Sequence, residues 1–370
     1  MRRTWWRGVI LALSAVVALS LAGCGQGASD GGDEKFKIAL NLSTTNNTYQ
    51  TTARNLIEAA AASEGYKDKV ELRVDIAGVD VTKQIQMINN EVAAGYDAIV
   101  LYPVSPDALN PAIKKACDAG VIVIAWDSNV TEPCAYNVYP DLTQMGVIGA
   151  SWLVEKLEGK GKIIVIRGIP GVSADEFQYD GVMQALEGTD IEVVAEPVGE
   201  WATATIKTAF AQAYAAHPDI DGVWSITGCV QVHEVVGDKP IWCSGGASKS
   251  ELMLMAPESE GGAGITTNVA VPAPPWDGEL AFQIAVQVLE GEDIPKNTIL
   301  PTPPIDASNI KIGTDPTEGA NLFVGDEIPP DFFPFWSPLV EQGLKAALTG
   351  QPDKISDAVP CAEVEGCIQK

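Results

Sequence analysis

The sequence predicts an α/β protein whose parallel sheets are arranged in two lobes. Short apolar segments typical of buried strands alternate with helix-forming segments from residue 36 to about residue 305, and this alternation is the pattern of parallel sheets. About ten strands in a chain of 370 residues are enough for two sheets, and therefore for two lobes.

The first predicted unit is a strand, a polar turn, a helix and a second strand. The apolar run at residues 36–42 is long enough for a buried strand, and helix formers follow at residues 49–62. Residues 70–76 (VELRVDI) form the next strand, so the unit makes a right-handed βαβ crossover. The turn at residues 43–48 lies at the carboxyl end of a strand, where open α/β sheets bind ligands.

The same rhythm continues along the chain. The strand at residues 121–126 (VIVIAW) is nearly all apolar, as expected when helices cover both faces of a sheet. The further predicted helices are 81–94, 106–119, 141–157, 173–186, 203–216, 248–255 and 276–289. The further predicted strands are 97–101, 162–167, 191–196, 221–226, 240–243 and 263–268.

The first 23 residues have the pattern of a bacterial lipoprotein signal peptide. A basic head precedes an apolar run too short to span a bilayer easily, and the run ends in Leu-Ala-Gly-Cys at Cys24. Residues 24–35 form a flexible tether. We expect a lipid anchor on Cys24 and an extracytoplasmic protein held at the cell membrane, the alternatives being an ordinary signal peptide and, less favoured, a membrane helix.

The charge balance excludes one class of partner. The net charge is −25. Loss of residues 1–23 removes three arginines and no acid, which leaves 21 cationic and 49 acidic side chains and a charge of −28. Nucleic acid is excluded, because its binding depends on cations that contact phosphates. The acidity favours solubility outside the cell.

Six cysteines remain beyond Cys24, an even number that suits an oxidising compartment. They lie in three neighbouring pairs, Cys117 with Cys134, Cys229 with Cys243, and Cys361 with Cys367. Neighbour pairing is the favoured one of fifteen pairings. No Cys-x-x-Cys spacing occurs and the chain has two histidines, so we expect no metal and no cofactor.

Enzyme signatures are absent from the motifs of the sequence. Residues 171–175 (GVSAD) fail the nucleophile-elbow pattern at the last position. Residues 159–162 (GKGK) lack the spacing and the hydroxyl of a phosphate loop. The histidines His217 and His233 are interpreted as a helix-end residue and a surface residue. The sequence therefore predicts a binding protein rather than an enzyme.

Polar and aromatic residues recur where the predicted strands end. They are Asn47, Tyr49, Gln50, Tyr102, Trp126, Asp127, Asp175, Glu176, Trp201, Thr227 and Asn268. Each alone is also explained as a core side chain or a helix cap. Because the carboxyl ends of parallel strands share one edge, their recurrence indicates a ligand site there.

Five segments together resemble the sugar-binding branch of the type I periplasmic binding proteins, the ribose-binding protein family. They are IALNLSTTNNTY at 38–49, GYDAIVLYP at 95–103, GVIVIAWD at 120–127, GIPGVSA at 168–174 and HPDIDGVW at 217–224. The resemblance covers roughly residues 36–305 and is carried by the set rather than by any one segment.

The resemblance implies two flavodoxin-like lobes joined by a three-segment hinge that closes on a ligand. The implied crossings lie near Tyr139, Val269 and Ile294. The first lobe then contains residues 36–139 and 269–293, and the second contains residues 140–268 and 294–312. Residues 313–370 are a C-terminal extension, interpreted as an arm packed on a lobe. A monomer that serves the permease and ATPase of an ABC importer is implied.

By position, the resemblance also implies a set of ligand contacts. The implied residues are Asn47, Tyr49, Gln50, Tyr102, Asp127 and Ser128 in the first lobe, and Glu176, Trp201, Thr227, Gly245 and Asn268 in the second lobe and hinge. Four of them depart from the pentose binders. Gln50 replaces an aromatic residue, Ser128 and Glu176 replace arginines, and Gly245 replaces an aspartate. Without arginines to hold sugar hydroxyls, ribose itself is disfavoured.

The remaining chemistry of this set is aromatic and acidic. Tyr49 and Trp201 can sandwich a ring or a flat ligand while Asp127 accepts its protons. A buried carboxylate without a cation is costly, so Glu176 either points to solvent or meets a positive ligand. We expect uptake of a neutral sugar, polyol or related small molecule, with an amine-bearing ligand second. A sensory binding protein for a signalling molecule is the alternative class.

Overall fold

The computed structural model describes residues 35–43, 48–300, 302–313 and 322–323. Several sequence predictions fall outside these residues. They are the signal peptide, the tether up to residue 34, Cys24, Asn47, the pairing of Cys361 with Cys367, and almost all of the C-terminal extension.

The first sheet contains six parallel strands. They are β1 Phe36–Leu42, β2 Val70–Ile76, β3 Ala98–Leu101, β4 Ile122–Trp126, β5 Tyr136–Pro140 and β11 Asn297–Leu300. Their order across the sheet is β11-β5-β4-β3-β1-β2. The order reverses between β1 and β3, which is where a doubly wound sheet opens a crevice at its carboxyl edge.

The second sheet repeats this plan. Its strands are β6 Lys160–Ile166, β7 Asp190–Ala195, β8 Gly222–Ser225, β9 Trp242–Gly245, β10 Asn268–Ala270 and β12 Ile305–Asp306. The order is β12-β10-β9-β8-β6-β7, with β12 antiparallel to β10. A separate short pair joins β13 Ile312–Gly313 to β14 Leu322–Phe323. The predicted flavodoxin-like order is therefore confirmed in both sheets.

Nine α-helices occur among the described residues. They are α1 Thr48–Ala62, α2 Val81–Ala93, α3 Asn110–Asp118, α4 Leu142–Lys156, α5 Ser173–Leu186, α6 Thr203–Ala216, α7 Val230–Val236, α8 Lys249–Met255 and α9 Asp277–Leu289. A 3-10 turn spans Glu258–Glu260. None of the described helices is long and apolar enough to cross a membrane.

Apolar clusters cover both faces of each sheet. In β1, Ile38 and Leu40 pack with α1 and α9 on one face, whereas Ala39 packs with α2 and α3 on the other. Ile164 and Ile163 divide the second sheet in the same way. Alternate residues of one strand thus enter different clusters, which explains why the strand sequences are apolar throughout.

Three segments carry the chain between the sheets. It leaves the first sheet after β5, returns between β10 and α9, and leaves again between β11 and β12. Residues 297–300 pair in parallel with β5, so assigning them to the second lobe was wrong. This pairing moves the last crossing from Ile294 to the segment between β11 and β12, because β11 adds an edge strand to the first sheet.

Each sheet region contains one disulfide among the described residues. Cys117 bonds Cys134 in the first, and Cys229 bonds Cys243 in the second. Both predicted neighbour pairings are confirmed. They close loops of 17 and 14 residues. In the loop-entropy model, each disulfide lowers the entropy of the unfolded chain and thereby stabilises the folded state by about 3 kcal/mol.

Candidate functional site

A cluster of hydroxyl and carboxyl groups lies at the carboxyl edge of the first sheet. Tyr49, in the first turn of α1, places its hydroxyl oxygen 2.7 Å from Asp127 Oδ1 and 3.0 Å from Asp277 Oδ2. Asp127 directly follows β4, and Asp277 is the first residue of α9. Three separate parts of the chain therefore meet at one phenol.

Tyr102, directly after β3, completes this cluster. Its hydroxyl hydrogen-bonds Asp127, and its ring meets the ring of Trp126 edge-on at 5.0 Å. Asp127 is 4 % exposed and Asp277 is fully buried. No lysine or arginine of the described residues lies within ion-pair distance of either carboxylate.

The backbone of Asp127 is left-handed, with φ of 63°. This conformation is uncommon for residues other than glycine and costs free energy that the surrounding structure must supply. Such residues concentrate at functional sites. The conformation turns the chain at the end of β4 while the Asp127 amide donates to the carbonyl oxygen of Val138 at 3.0 Å.

Burial changes the acidity of this cluster. It raises the pKa of Asp127 to about 6, although hydrogen bonds from Tyr49 and Tyr102 oppose the change. Burial, followed by the charge of Asp127, raises the pKa of Asp277 well above its ordinary value. The pKa of each tyrosine is also raised, chiefly by burial, so both phenols keep their protons at neutral pH.

Gln50 and Ser128 are the other sequence-predicted contacts of the first lobe among the described residues, and they adjoin the cluster. Gln50 is buried, donates to Ser43 Oγ at 2.9 Å and hydrogen-bonds Tyr102. The Ser128 hydroxyl and the Trp126 indole nitrogen are buried without a hydrogen-bond partner. Buried polar groups are rarely left unpaired, so these two are exceptions within the described residues.

The second sheet presents a different arrangement at its carboxyl edge. Arg167 follows β6, is 7 % exposed, and donates from Nε to both carboxylate oxygens of Asp175 at 3.1 Å. Its Nη2 also donates to Asp175 and, at 3.2 Å, to Glu176. The guanidinium stacks on Tyr179, with its carbon 3.6 Å from the ring centre. The sequence comparison found no arginine at the positions that hold sugar hydroxyls in the pentose binders; Arg167 lies at another position and donates to carboxylates of the protein.

Glu176 does not call for a cationic ligand. Its side chain is 45 % exposed, and its Oε1 accepts from Arg167 and from the Gly171 amide at 2.7 Å. Of the two options that the sequence left open for this carboxylate, the structure shows partial exposure to solvent together with a partner from the protein.

Trp201 lies beside this ion pair. The turn that holds it has two consecutive left-handed residues, Glu200 and Trp201, with φ of 55° and 53°. Its ring covers Gly168 so closely that a Cβ atom there would lie 2.3 Å from the ring. Glycine at position 168 is therefore required for the indole to occupy this position, next to Arg167 in the chain.

Thr227 and Gly245 lie at the ends of β8 and β9. The Thr227 hydroxyl is buried without a partner, as is the hydroxyl of Ser173 at the start of α5. The Thr227 carbonyl accepts from the Gly246 amide at 3.1 Å. A Cβ atom on Gly245 would lie 2.4 Å from Gly228 Cα, so this backbone has no room for the aspartate of pentose binders.

Asn268 is separated from the other predicted residues. It begins β10 rather than following its carboxyl end, and its Oδ1 lies 2.9 Å from His233 Nε2 on α7. The side chain thus faces a helix that flanks the sheet. The structure does not bring Asn268 to the site, and His233 is half-buried rather than a surface residue.

Two concave regions occur among the described residues, one remote from these clusters and one lined by Gly245. A surface pocket of about 390 Å³ beside β2 and α2 is lined by Arg73, Ile76, Lys83, Glu91 and Tyr96 among others. A cavity of about 10 Å³ near the ends of β8 and β9 has room for at most one water molecule. Among the described residues, no group of three His, Cys, Asp or Glu side chains could hold a metal ion.

Comparison with known proteins identifies the fold family. The model of the periplasmic binding protein domain matches residues 38–293. A solved ABC transporter solute binding protein from Thermobispora bispora superposes with a TM-score of 0.68 at 25 % identity, over 85 % of this chain and 97 % of that one.

Two curated relatives differ in how much of them the chain covers. The ribose import binding protein of Bacillus subtilis is 24 % identical over 279 residues, 74 % of this chain and 88 % of the relative. The xylitol-binding protein of Mycolicibacterium smegmatis is 26 % identical over 193 residues, which are 52 % of this chain and 54 % of the relative. The chain thus spans about half the length of the mycobacterial relative that it matches.

Proposed function

Because the chain belongs to the periplasmic binding protein family, we propose that it captures a small polyhydroxylated molecule between its two sheets and delivers it to a membrane importer. The family is one of binding proteins, which agrees with the predicted absence of enzyme activity. The names of the relatives, a xylitol-binding and a ribose import binding protein, support a polyol or sugar as the ligand.

One observation carries the proposal. Asp127 is a buried carboxylate that accepts from two tyrosine hydroxyls, at the carboxyl edge of a doubly wound sheet and without a cation of the described residues. Sugar and polyol hydroxyls are donors that can fill its remaining acceptor positions. An anionic ligand would meet repulsion in this half of the site.

The second lobe supplies complementary groups. Trp201 offers an aromatic face, and Thr227 and Ser173 offer unpaired hydroxyls. A ligand that contacts both lobes would bind the closed state more tightly than the open state. The ratio of these two affinities sets how far the ligand shifts the hinge equilibrium toward closure. We propose the contact set Asn47, Tyr49, Gln50, Tyr102, Asp127, Ser128, Glu176, Trp201 and Thr227, and leave Asn268 out because of its bond to His233.

A thermal-shift screen tests the proposal. Ribose, xylitol, glycerol, glucosamine, gluconate and ribose 5-phosphate are compared, because they separate neutral, cationic and anionic polyhydroxy compounds. A ligand present at 100 times its dissociation constant stabilises by about 2.7 kcal/mol. We expect neutral compounds to raise the melting temperature and the two anions to have no effect; stabilisation by the anions alone would contradict the proposal.

Matched variants locate the site. Asp127→Asn and Trp201→Phe are expected to weaken binding at least tenfold by calorimetry, because each loses a contact at a carboxyl edge. Asp97→Asn and Trp242→Phe change the same residue types at the amino ends of β3 and β9. These controls should bind like the wild type. Equal affinities in all four variants would place the ligand elsewhere.

An amine-bearing ligand is the second candidate, favoured by a specific observation. The first-lobe cluster contains two carboxyl groups and no cation of the described residues, so a protonated amine would compensate its charge. Stabilisation by glucosamine beyond that of neutral sugars would select this candidate.

Membrane attachment and the importer partners are also part of the proposal. Membrane attachment rests on the signal-peptide pattern that ends at Cys24, and the importer partners rest on the family. A lipid on Cys24 would hold the protein at the membrane without a membrane-spanning segment. Replacement of Cys24 by alanine should release the protein from the membrane fraction of the producing bacterium. Retention of this variant in that fraction would count against the lipid anchor.

A further inference from the structure

The contacts of the Tyr49 hydroxyl pose a problem of proton count. The oxygen lies 2.7 Å from one carboxylate and 3.0 Å from another, but a phenol has a single hydrogen to donate. Both contacts are hydrogen bonds only if one of the two carboxyl groups carries a proton and donates it to the phenol oxygen.

The surrounding hydrogen bonds identify which group holds that proton. Asp127 accepts from two phenols, Tyr49 and Tyr102, which suits an ionised carboxylate. Asp277 uses Oδ1 to accept from the Gly278 amide at 2.6 Å, which leaves Oδ2 as the oxygen that faces Tyr49. Asp277 also forms a hydrogen bond with the backbone of Asp127. A proton on Oδ2 therefore satisfies the contacts of the Tyr49 hydroxyl with both carboxyl groups.

From this geometry we propose that Asp277 holds a proton at neutral pH, donates it to Tyr49, and so positions Tyr49 and Asp127 for the ligand. Asp277 is a positioning residue, because it acts through the phenol. The inference rests on the proposed function and adds a pH limit to it. Loss of the proton would place two negative charges at one phenol, displace it, and weaken ligand binding.

The groups that face Asp277 from the elements around it are two phenols and one carboxylate. Tyr49 faces it from α1, and Tyr102 and Asp127 face it from the ends of β3 and β4. On α9 itself, Glu279 is buried and bonded to Gln283 at 3.0 Å rather than to Tyr49. Since no cation of the described residues pairs with either aspartate, a shared proton is the available means of relieving their repulsion.

Carbon NMR of protein labelled at aspartate Cγ tests the proton directly and without ligand. At pH 7 we expect one aspartate signal of a protonated carboxyl group, and we expect Asp277→Asn to remove it. Glu279→Gln is the matched control, since it alters a buried acid of the same helix that is not labelled. If every aspartate is ionised at pH 7, or if the protonated signal survives in Asp277→Asn, the inference is wrong.

Binding calorimetry between pH 7 and pH 9.5 tests the positioning role, with the most strongly stabilising compound of the thermal-shift panel. We expect wild-type affinity to fall at least fivefold over this range, and the fall to persist in Glu279→Gln. Asp277→Asn supplies a permanent donor, so its affinity should stay within threefold of the wild-type value at pH 7 and change less than twofold with pH. Asp277→Ala should lose at least tenfold at every pH.

A structural role alone would give the opposite pattern, in which asparagine and alanine weaken binding alike and the pH profile is unchanged. If no compound of the panel binds, the proposed capture of a sugar, polyol or amine-bearing ligand fails. The NMR result still decides whether the proton is shared, so the two failures are distinguishable.

Discussion

The carboxyl edges of the two sheets differ in whether their buried charged groups have partners of opposite charge. In the second lobe, Arg167 forms ion pairs with Asp175, Glu176 and, at 3.9 Å, Glu196, so the positive charge has partners within the protein. In the first lobe, Asp127 and Asp277 share one phenol with no cation of the described residues. The buried cation of the second edge therefore has partners within the protein, whereas the buried carboxylates of the first edge have acceptor positions left for a ligand.

This difference also distinguishes a structural role from a ligand-binding role, which the sequence pattern alone does not separate. An arginine at the end of a sheet is readily interpreted as a sugar-binding group. In Arg167, however, Nε and Nη2 donate to Asp175 and Glu176, and one face of the guanidinium stacks on Tyr179. Its Nη1 lies 3.9 Å from Glu196 Oε2. We infer that Arg167 stabilises the turn near Trp201, while Asp127 determines which charge the ligand can carry.

The largest expected effect comes from breaking the buried ion pair of Arg167 with Asp175. Asp175→Ala leaves Arg167 buried without its main partner, and loss of one member of a buried pair costs about 3–5 kcal/mol. Urea denaturation should show this loss in the free energy of unfolding. A loss below about 1 kcal/mol would mean that the pair is not a structural element of the second lobe.

An intermediate effect is expected from pH acting on the first lobe. The folded-state pKa of Asp127, about 6, lies above its ordinary value of 3.8. Its contribution is therefore fully present below pH 3.8 and is lost as the pH rises through 6, with a slope of up to about 1.4 kcal/mol per unit. Buried Glu91 and Glu251, with pKa values raised to about 7 by burial, add to this loss.

Asp127→Asn should reduce that slope between pH 4 and pH 6, as measured by urea denaturation at several pH values. Identical slopes in wild type and Asp127→Asn would show that Asp127 is ionised at its ordinary pKa.

The smallest effect is expected for Glu176→Gln. This side chain is 45 % exposed, and partly exposed ion pairs contribute about 1 kcal/mol or less. Arg167 retains Asp175 in this variant, so the free energy of unfolding should change by less than about 1 kcal/mol. A loss comparable to that of Asp175→Ala would show that the two carboxylates are equal partners.

Much of the fold could be predicted from the sequence, because strands buried on both faces are apolar runs. The strands that were missed lack such runs. In β5 (YNVYP), Asn137 is buried and donates to Asn297 at 3.1 Å, and the edge strand β11 alternates between exposed and buried residues. The helix predicted at residues 106–119 begins at Asn110, and the strand predicted at 263–268 begins only at Asn268.

Part of the candidate site could be predicted, because several of its residues follow the carboxyl ends of strands. Tyr49, Tyr102 and Asp127 each follow a strand and were found by that rule. Asp277 comes after a crossing between the sheets, where an aspartate at a helix start suggests only a cap. The pairing of Arg167 with Asp175 depends on how a loop folds back, which spacing does not reveal, although an arginine that ends the apolar strand KIIVIR is a signal that could have been used.

A crystal structure with the most strongly stabilising compound of the panel tests the central claim most directly. We predict a ligand hydroxyl or amine within hydrogen-bond distance of Asp127, with the Trp201 ring against the same molecule. A ligand found instead in the 390 Å³ pocket beside β2 and α2, with the carboxyl edges of both sheets empty, would contradict it.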